Sequence, residues 1–288
     1  MQHVQEELEA TERRACQVVG QPRSTQRYEP EPKPEETKLV KRMKQLARKH
    51  PRYGYRRIGA LLRAEGWTVN RKRVHRLWRK EGHKVPVRQR KRRRLGNSGN
   101  GTQLRRATHR NEVWSYDFVM DQTADGRRLK FLPIVDEYTR ECVELRVERS
   151  LTAREVVETL RQKMAERGAP KYLRSDNGPE FIAKAVREWL AEAGVSTLYI
   201  EPGSPWENAY SESFNSRLRD ELLDREEFAS LPEAKVLAGD YRREYNEKRP
   251  HSSLNYQTPS AFAASCVAKK ISSPLGGKKD TTTTEAAA

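Results

Sequence analysis

The sequence predicts an α/β chain: a mixed sheet flanked by helices, preceded by a small all-helical domain carrying a helix-turn-helix. Three observations lead there. Helix-period apolar stripes recur between residues 37 and 85, a basic aperiodic run comes next, and from residue 111 three strand-like segments give way to alternating helices and strands. At 288 residues the chain has room for two such units, since domains run to about 100–200 residues each.

Residues 1–36 end in "YEPEPKPEE", whose prolines and mixed charge predict an extended, partly helical lead-in. In "ETKLVKRMKQLARKH", Leu39, Met43 and Leu46 form an amphipathic stripe, and Pro51 stops the helix. "YGYRRIGALLRAEG" repeats the pattern through Ile58, Leu61 and Leu62, with Gly66 as its stop. Asn70 can cap a third helix, "RKRVHRLWRKEG", with Val74, Leu77 and Trp78 facing in and Arg71, Lys72, Arg73, Arg76, Arg79 and Lys80 facing out. Two short helices joined by about four residues, the second basic, describe a DNA-binding helix-turn-helix over 37–85. A helical bundle with a merely solvated basic face would give the same pattern.

Residues 86–110 read as a linker able to lie along a phosphate backbone, with Arg92, Arg93 and Arg94 at the centre of its charge run. "EVWSYDFVM", "LKFLPIVDEYT" and "RECVELRVE" are strand candidates, the first two joined through an Asp-Gly turn. A helix opened by Thr152, a strand at "KYLRSDN", a helix ending at Gly194, a strand at "VSTLYI" and two further helices complete the unit over 111–265. Residues 266–288 read as a disordered tail.

Charge divides the chain. Through residue 110, 31 Lys+Arg stand against 10 Asp+Glu; thereafter the counts are 26 and 30, so the formal charges are +21 and −4. A basic front half on a mildly acidic back half points to a phosphate-neutralising module tethered to a second activity, and so to nucleic acid. Cys16, Cys142 and Cys266 are widely spaced, which indicates neither a disulfide framework nor structural zinc. No apolar run suits a membrane span or a signal core, so a cytoplasmic protein is expected.

Two carboxylates stand out. Asp117 falls in the middle of the first strand candidate, where burial without a partner would cost several kcal/mol or the charge itself. Asp176 closes the fourth strand in "YLRSDNGPEF". Glu212, on the helix "PWENAYSESFNSRLRDELL", shares a face with Ser216 and Arg219. Three hard oxygen ligands from two strands and a helix suit Mg²⁺, with Mn²⁺ as substitute, and a two-metal phosphoryl transfer that needs no histidine base. Taken singly, each acid would read equally well as a solvated surface residue.

"WSYDFV", "LRSDNGPEF", "PGSPWENAYSESFNSRLRDELL" and "YNEKRPHSSLNYQTP" resemble the catalytic core of the DDE transposases of bacterial insertion sequences, relatives of retroviral integrases, and most closely the OrfB product of insertion-sequence family three. The 35 residues between Asp176 and Glu212 match that family's interval, and the resemblance runs from about Ala15 to Phe262. It implies a ribonuclease H-like fold and Asp117, Asp176 and Glu212 as catalytic, metal-binding triad. It further implies cleavage and joining of double-stranded DNA, at the element's terminal inverted repeats and at a target, during transposition. Asn177 and Gly178 would shape the turn at Asp176, Arg219 would touch DNA beside the site, and Asn208 would support it. Tyr245, Asn246, Arg249, Pro250 and His251 also match family positions, without readable roles. The zinc-binding His-His-Cys-Cys segment of retroviral integrases is absent from the sequence; the helix-turn-helix takes its place. The resemblance also implies a synaptic multimer, an upstream OrfA or OrfA-OrfB fusion as partner, and association with the bacterial nucleoid. Two other readings stay open: a DNA-binding accessory or regulatory subunit inactive without OrfA, and a ribonuclease H-like nuclease acting on hybrid duplexes.

Overall fold

The computed structural model describes residues 11–28, 34–85, 106–175, 178, 183–199 and 208–272. Its first part is helical: α1 Glu12–Val19, α2 Arg23–Gln26, α3 Pro34–Lys49, α4 Tyr55–Ala64 and α5 Arg71–Lys80. Acidic Glu35 and Glu36 in the first turn of α3 and basic Arg48 and Lys49 in its last complement the helix dipole. The predicted stripes meet in one core of Leu39, Met43, Leu46, Ile58, Leu62, Val74, Leu77 and Trp78. Asn70 caps α5 as expected, accepting the Arg73 N–H at 2.7 Å.

The lead-in is partly helical and carries more helix than its prolines alone suggest. Residues 12–19 form a full helix, closed by Gly20 in the left-handed region at φ 68° and tied back by Arg27 to Glu12 at 2.8 and 2.9 Å. The prolines that suggest an extended segment cluster at residues 30–34; they leave the helix-forming run before them untouched.

The second part is a sheet of six strands: β1 Val113–Tyr116, β2 Val119–Gln122, β3 Arg128–Asp136, β4 Cys142–Glu148, β5 Tyr172–Ser175 and β6 Ser196–Tyr199. β1 and β2 pair antiparallel with β3 in one register, Trp114 with Asp136 and Val119 with Phe131, and β4 takes the other edge of β3. β5 and β6 add in parallel on β1. β3 is buried along its length after Arg128, as a strand covered on both faces must be.

The sequence places Asp117 inside a continuous strand, but β1 stops at Tyr116 and β2 resumes at Val119. The shared register sets Pro133 opposite Asp117, and Pro133 has no N–H to donate to the facing carbonyl. The ladder lapses there while the strand direction continues.

The helices are α6 Ala153–Arg167, α7 Lys184–Glu192, α8 Ala209–Leu218, a π-helical turn Arg219–Leu223, α9 Leu231–Glu247, a 3₁₀ turn Ser252–Leu254 and α10 Pro259–Ser272. Each sheet face has its own core. Trp114, Tyr116, Leu132 and Leu173 pack with Val156, Leu160, Val186 and Leu190 of α6 and α7. Val119, Phe131 and Leu145 pack with Phe214 and Leu218 of α8 and with Ala234, Ala238 and Tyr245 of α9. Alternation along the strand therefore sends Asp117, two residues before Val119, toward α8. α10 carries helix into residues 266–272 of the expected tail, because "AFAASCVAKKIS" is rich in helix formers. Residues 273–288, like the linker's Arg92, Arg93 and Arg94, lie outside the described residues.

Candidate active site

Asp117 leaves the sheet at the gap between β1 and β2, half-buried. Its Oδ1 accepts the Phe118 N–H at 2.7 Å, and its Oδ2 accepts Asn215 Nδ2–H at 2.9 Å. Asn215 follows Glu212 by three positions on α8, so one helix presents both side chains on the same flank. Ser211, Phe214 and Leu218 hold α8 down by its buried side, and Glu212 stays exposed. The carboxamide oxygen of Asn215 is buried without a hydrogen-bond partner.

Ser115 pairs with Arg174, so the exits of β1 and β5 lie side by side. β5 ends at Ser175; Asp176 and Asn177, next in sequence, lie outside the described residues. Among the described residues no three His, Cys, Asp or Glu side chains gather as a metal cluster. Gly178 is half-buried. Asn208 stands at the N-cap of α8, buried, its Oδ1 capping nothing and left without a partner.

Arg219 opens the π turn, exposed, and donates to the Met120 carbonyl at 3.1 Å, which brings it to the strand that continues from Asp117. Behind the site, the Glu137 carboxylate accepts from Arg174 Nε at 2.8 Å, both side chains being buried. Burial drives the Glu137 pKa up to about 7 against the pull of Arg174. Arg140 lies over the Tyr210 ring at 4.1 Å, at the start of α8.

Helix α5 sorts its cations. Lys72, Arg76, Arg79 and Lys80 border one shallow surface together with His75. Arg76 also pairs with Glu36, and Arg71 lies 5.9 Å from the Tyr55 ring centroid. Arg73 is half-buried and turns to another side, against Glu35 and Lys38.

Models of the integrase core domain match residues 107–205 and 193–259, and an HTH-like domain model matches 34–92. The 31.7 kDa protein of insertion element IS407 from Burkholderia multivorans is 42% identical over 264 residues, which is 92% of this chain and 94% of that one. The chain belongs to the integrase-core family of insertion-element proteins. The transposase for insertion sequence element IS904 from Lactococcus lactis is 28% identical over 235 residues, covering 78% of this chain and 92% of that one. A chain of the simian T-cell lymphotropic virus intasome shares the fold, with TM-score 0.50 at 16% identity over 63% of each chain. Membership in the integrase-core family carries DNA transposition as the function and polynucleotidyl transfer as the chemistry, with DNA bound through the HTH-like and core domains. It does not favour a purely accessory subunit. Among the described residues no helix is long and apolar enough to cross a membrane.

For this integrase-core protein the family-matching C-terminal positions have structural partners. Asn246 accepts the Cys142 N–H and donates to the Cys142 carbonyl, both at 2.9 Å, at the β-bulge where β4 begins. Tyr245 is buried edge-on to Phe214 at 4.9 Å. Burial, together with Arg249 and Arg140 nearby, lowers the His251 pKa to about 3, so its ring is neutral. Sequence reasoning missed Asn215; its signal was the three-residue step from Glu212 on one helix flank.

Proposed function

We propose that the chain is a transposase whose Asp117, Asp176 and Glu212 hold Mg²⁺, with Mn²⁺ able to replace it, and that it cuts insertion-element ends and joins them to a target. The observation that carries this reading is the Asn215 bridge, which ties Asp117 to the helix that bears Glu212. The donor set fits a hard divalent cation. Its members are carboxylate oxygens, and the unmatched Asn215 oxygen beside Asp117 is a site that a hydrated ion satisfies.

When bound, the metal would activate the attacking oxygen and stabilise the leaving one. The remaining tasks fall to the chain. Asn215 fixes the Asp117 carboxylate in one rotamer, and Arg219 offers an exposed guanidinium to the phosphate backbone beside the site. Lys72, Arg79 and Lys80 bind the duplex through α5, with Arg71, Arg73 and Arg76 flanking them and Arg92, Arg93 and Arg94 extending the basic track. Water breaks the first phosphodiester; the freed 3′-hydroxyl then attacks a second, expelling its 3′ oxygen. Asn177 and Gly178 shape the turn at Asp176, and Asn208 sets the start of α8. We assign the working units to 37–85 and 111–265, joined through 86–110. The chain self-associates into a synaptic multimer, with an upstream OrfA or an OrfA-OrfB fusion as its partner, on the nucleoid of a bacterial cytoplasm.

The test uses the full chain, a labelled duplex with a pre-exposed 3′ end, and Mg²⁺ or Mn²⁺. Joined products from wild type and none from Asp176→Asn, with DNA binding kept in both, are expected. Equal joining by the variant would refute the triad. No joining by either would assign the active species to the OrfA-containing assembly.

A further inference from the structure

We propose that the helix-turn-helix is keyed to the helix bearing Glu212, so that where the DNA is read fixes which phosphodiester is cut; Arg57, with Arg52 beside it, is a positioning residue for that register. The inference rests on the strand-cleaving role proposed for Glu212.

The key is Glu221. It sits in the π turn that prolongs α8, and its side chain is only 8% exposed. Arg249 Nε and Nη2 each donate to it at 2.7 Å, and Arg57 Nη1 donates at 3.3 Å. Arg57 belongs to α4, the first helix of the helix-turn-helix, 164 residues earlier in the chain. The neighbouring Asp220 meets Arg52 at 3.3 Å. His50, stacked on Tyr53 at 4.6 Å, faces Glu244 of α9 at 3.3 Å. Two ion pairs and the His50–Glu244 contact thus bind residues 50–57 to the π turn and α9, and a loosely tethered module would have no use for them.

The π turn makes the contact possible. Its Asp224 N–H reaches back five residues to the Arg219 carbonyl at 2.8 Å. One extra residue in the turn rotates the side chains beyond it, and such insertions gather at functional sites. Here Arg219 bonds to the sheet at Met120 while Asp220 and Glu221 turn to the helix-turn-helix. The same short segment therefore touches the strand that continues from Asp117 and the DNA-reading domain.

Arg57→Ala is a usable probe because Glu221 keeps both bonds from Arg249, so no buried carboxylate is stranded. Full-length protein is incubated with Mg²⁺ and a 5′-labelled duplex carrying one terminal repeat of its parent element, and cut positions are mapped on a sequencing gel. Wild type is expected to cut one dominant bond. Arg52→Ala with Arg57→Ala should bind the duplex with unchanged affinity but lower the dominant bond's share of all cuts roughly fivefold, spreading cuts to its neighbours. Arg57→Lys should return part of that share, and Asp220→Arg should do so in an Arg52→Asp background. An unchanged cut pattern in the double variant, at full or reduced yield, would overturn the proposal.

A second readout needs no cleavage. Spin labels at Lys41→Cys and Val236→Cys, in a Cys266→Ser background, should give one narrow distance distribution in otherwise wild-type protein and a broad one in the double variant. A broad distribution without the arginine changes would overturn the keying. Absence of cutting by a protein with the narrow distribution would count against the cleaving role alone.

Discussion

Asn215 gives one amide proton to Asp117 and keeps its carbonyl oxygen unmatched in a buried setting. A carboxylate at a gap in a sheet has two rotatable bonds, and a ligand held by a neighbour loses less entropy when the ion arrives. Groups that orient a metal ligand are worth about 10–100-fold in metal affinity or activity. Asn215→Ala is therefore expected to lower strand transfer by about 10–100-fold and to raise the Mg²⁺ concentration for half-maximal joining, with duplex affinity unchanged. Full joining at wild-type Mg²⁺ would show that Asp117 is oriented without it. Singly, Asp117 and Glu212 read equally well as solvated acids, and it is the motif resemblance that groups them with Asp176. The amide between them was not legible: Asn215 lies 98 residues from Asp117, and periodicity reports which face a side chain takes, never which polar atom it meets across the fold.

Local pattern fared well for the elements. Apolar stripes placed α3, α4 and α5, and the Asp-Gly turn placed the β2–β3 hairpin, where Gly126 takes φ 80°. The Thr152 helix start is supported by the Glu155 carboxylate, which accepts the Thr152 N–H at 2.7 Å. The π turn was missed because "RDELL" continues a helical pattern, and its wider turn is set by what Arg219, Asp220 and Glu221 bond to elsewhere. The same holds for the β-bulge at the start of β4, whose ladder groups are completed by Asn246 from α9. Removing that side chain leaves the N–H and carbonyl of Cys142, a residue 1% exposed, without their partners. A stranded buried polar group costs about 1–3 kcal/mol. Asn246→Ala should thus lower the urea midpoint of the full chain with an unchanged m value, and an unaltered midpoint would mean that water replaces the amide at no cost.

Over the whole molecule, and on the proposed function, the two charge domains would divide the labour between holding DNA and cutting it. The first 110 residues carry a formal +21 against −4 for the rest, so counterion release from the front half should dominate affinity. Each neutralised phosphate contributes a slope of about −0.9 in log K against log salt. Lys72, Arg79 and Lys80 border the open basic surface of α5, which no acidic side chain among the described residues lines, whereas Arg76 is shared with Glu36 and Arg71 leans on Tyr55. If each of the three meets one phosphate, the triple alanine variant should reduce the salt slope by about 3 and weaken duplex binding most at low salt. Changing Arg71 and Arg76 instead should move the slope less, since Arg76 is already partly neutralised. The measurement is duplex affinity of the full chain across a salt series. A slope unmoved by the triple change would place the phosphate contacts outside α5, on the linker or on the face of the core that carries Arg219, and would leave the helix-turn-helix as a reader of base edges alone.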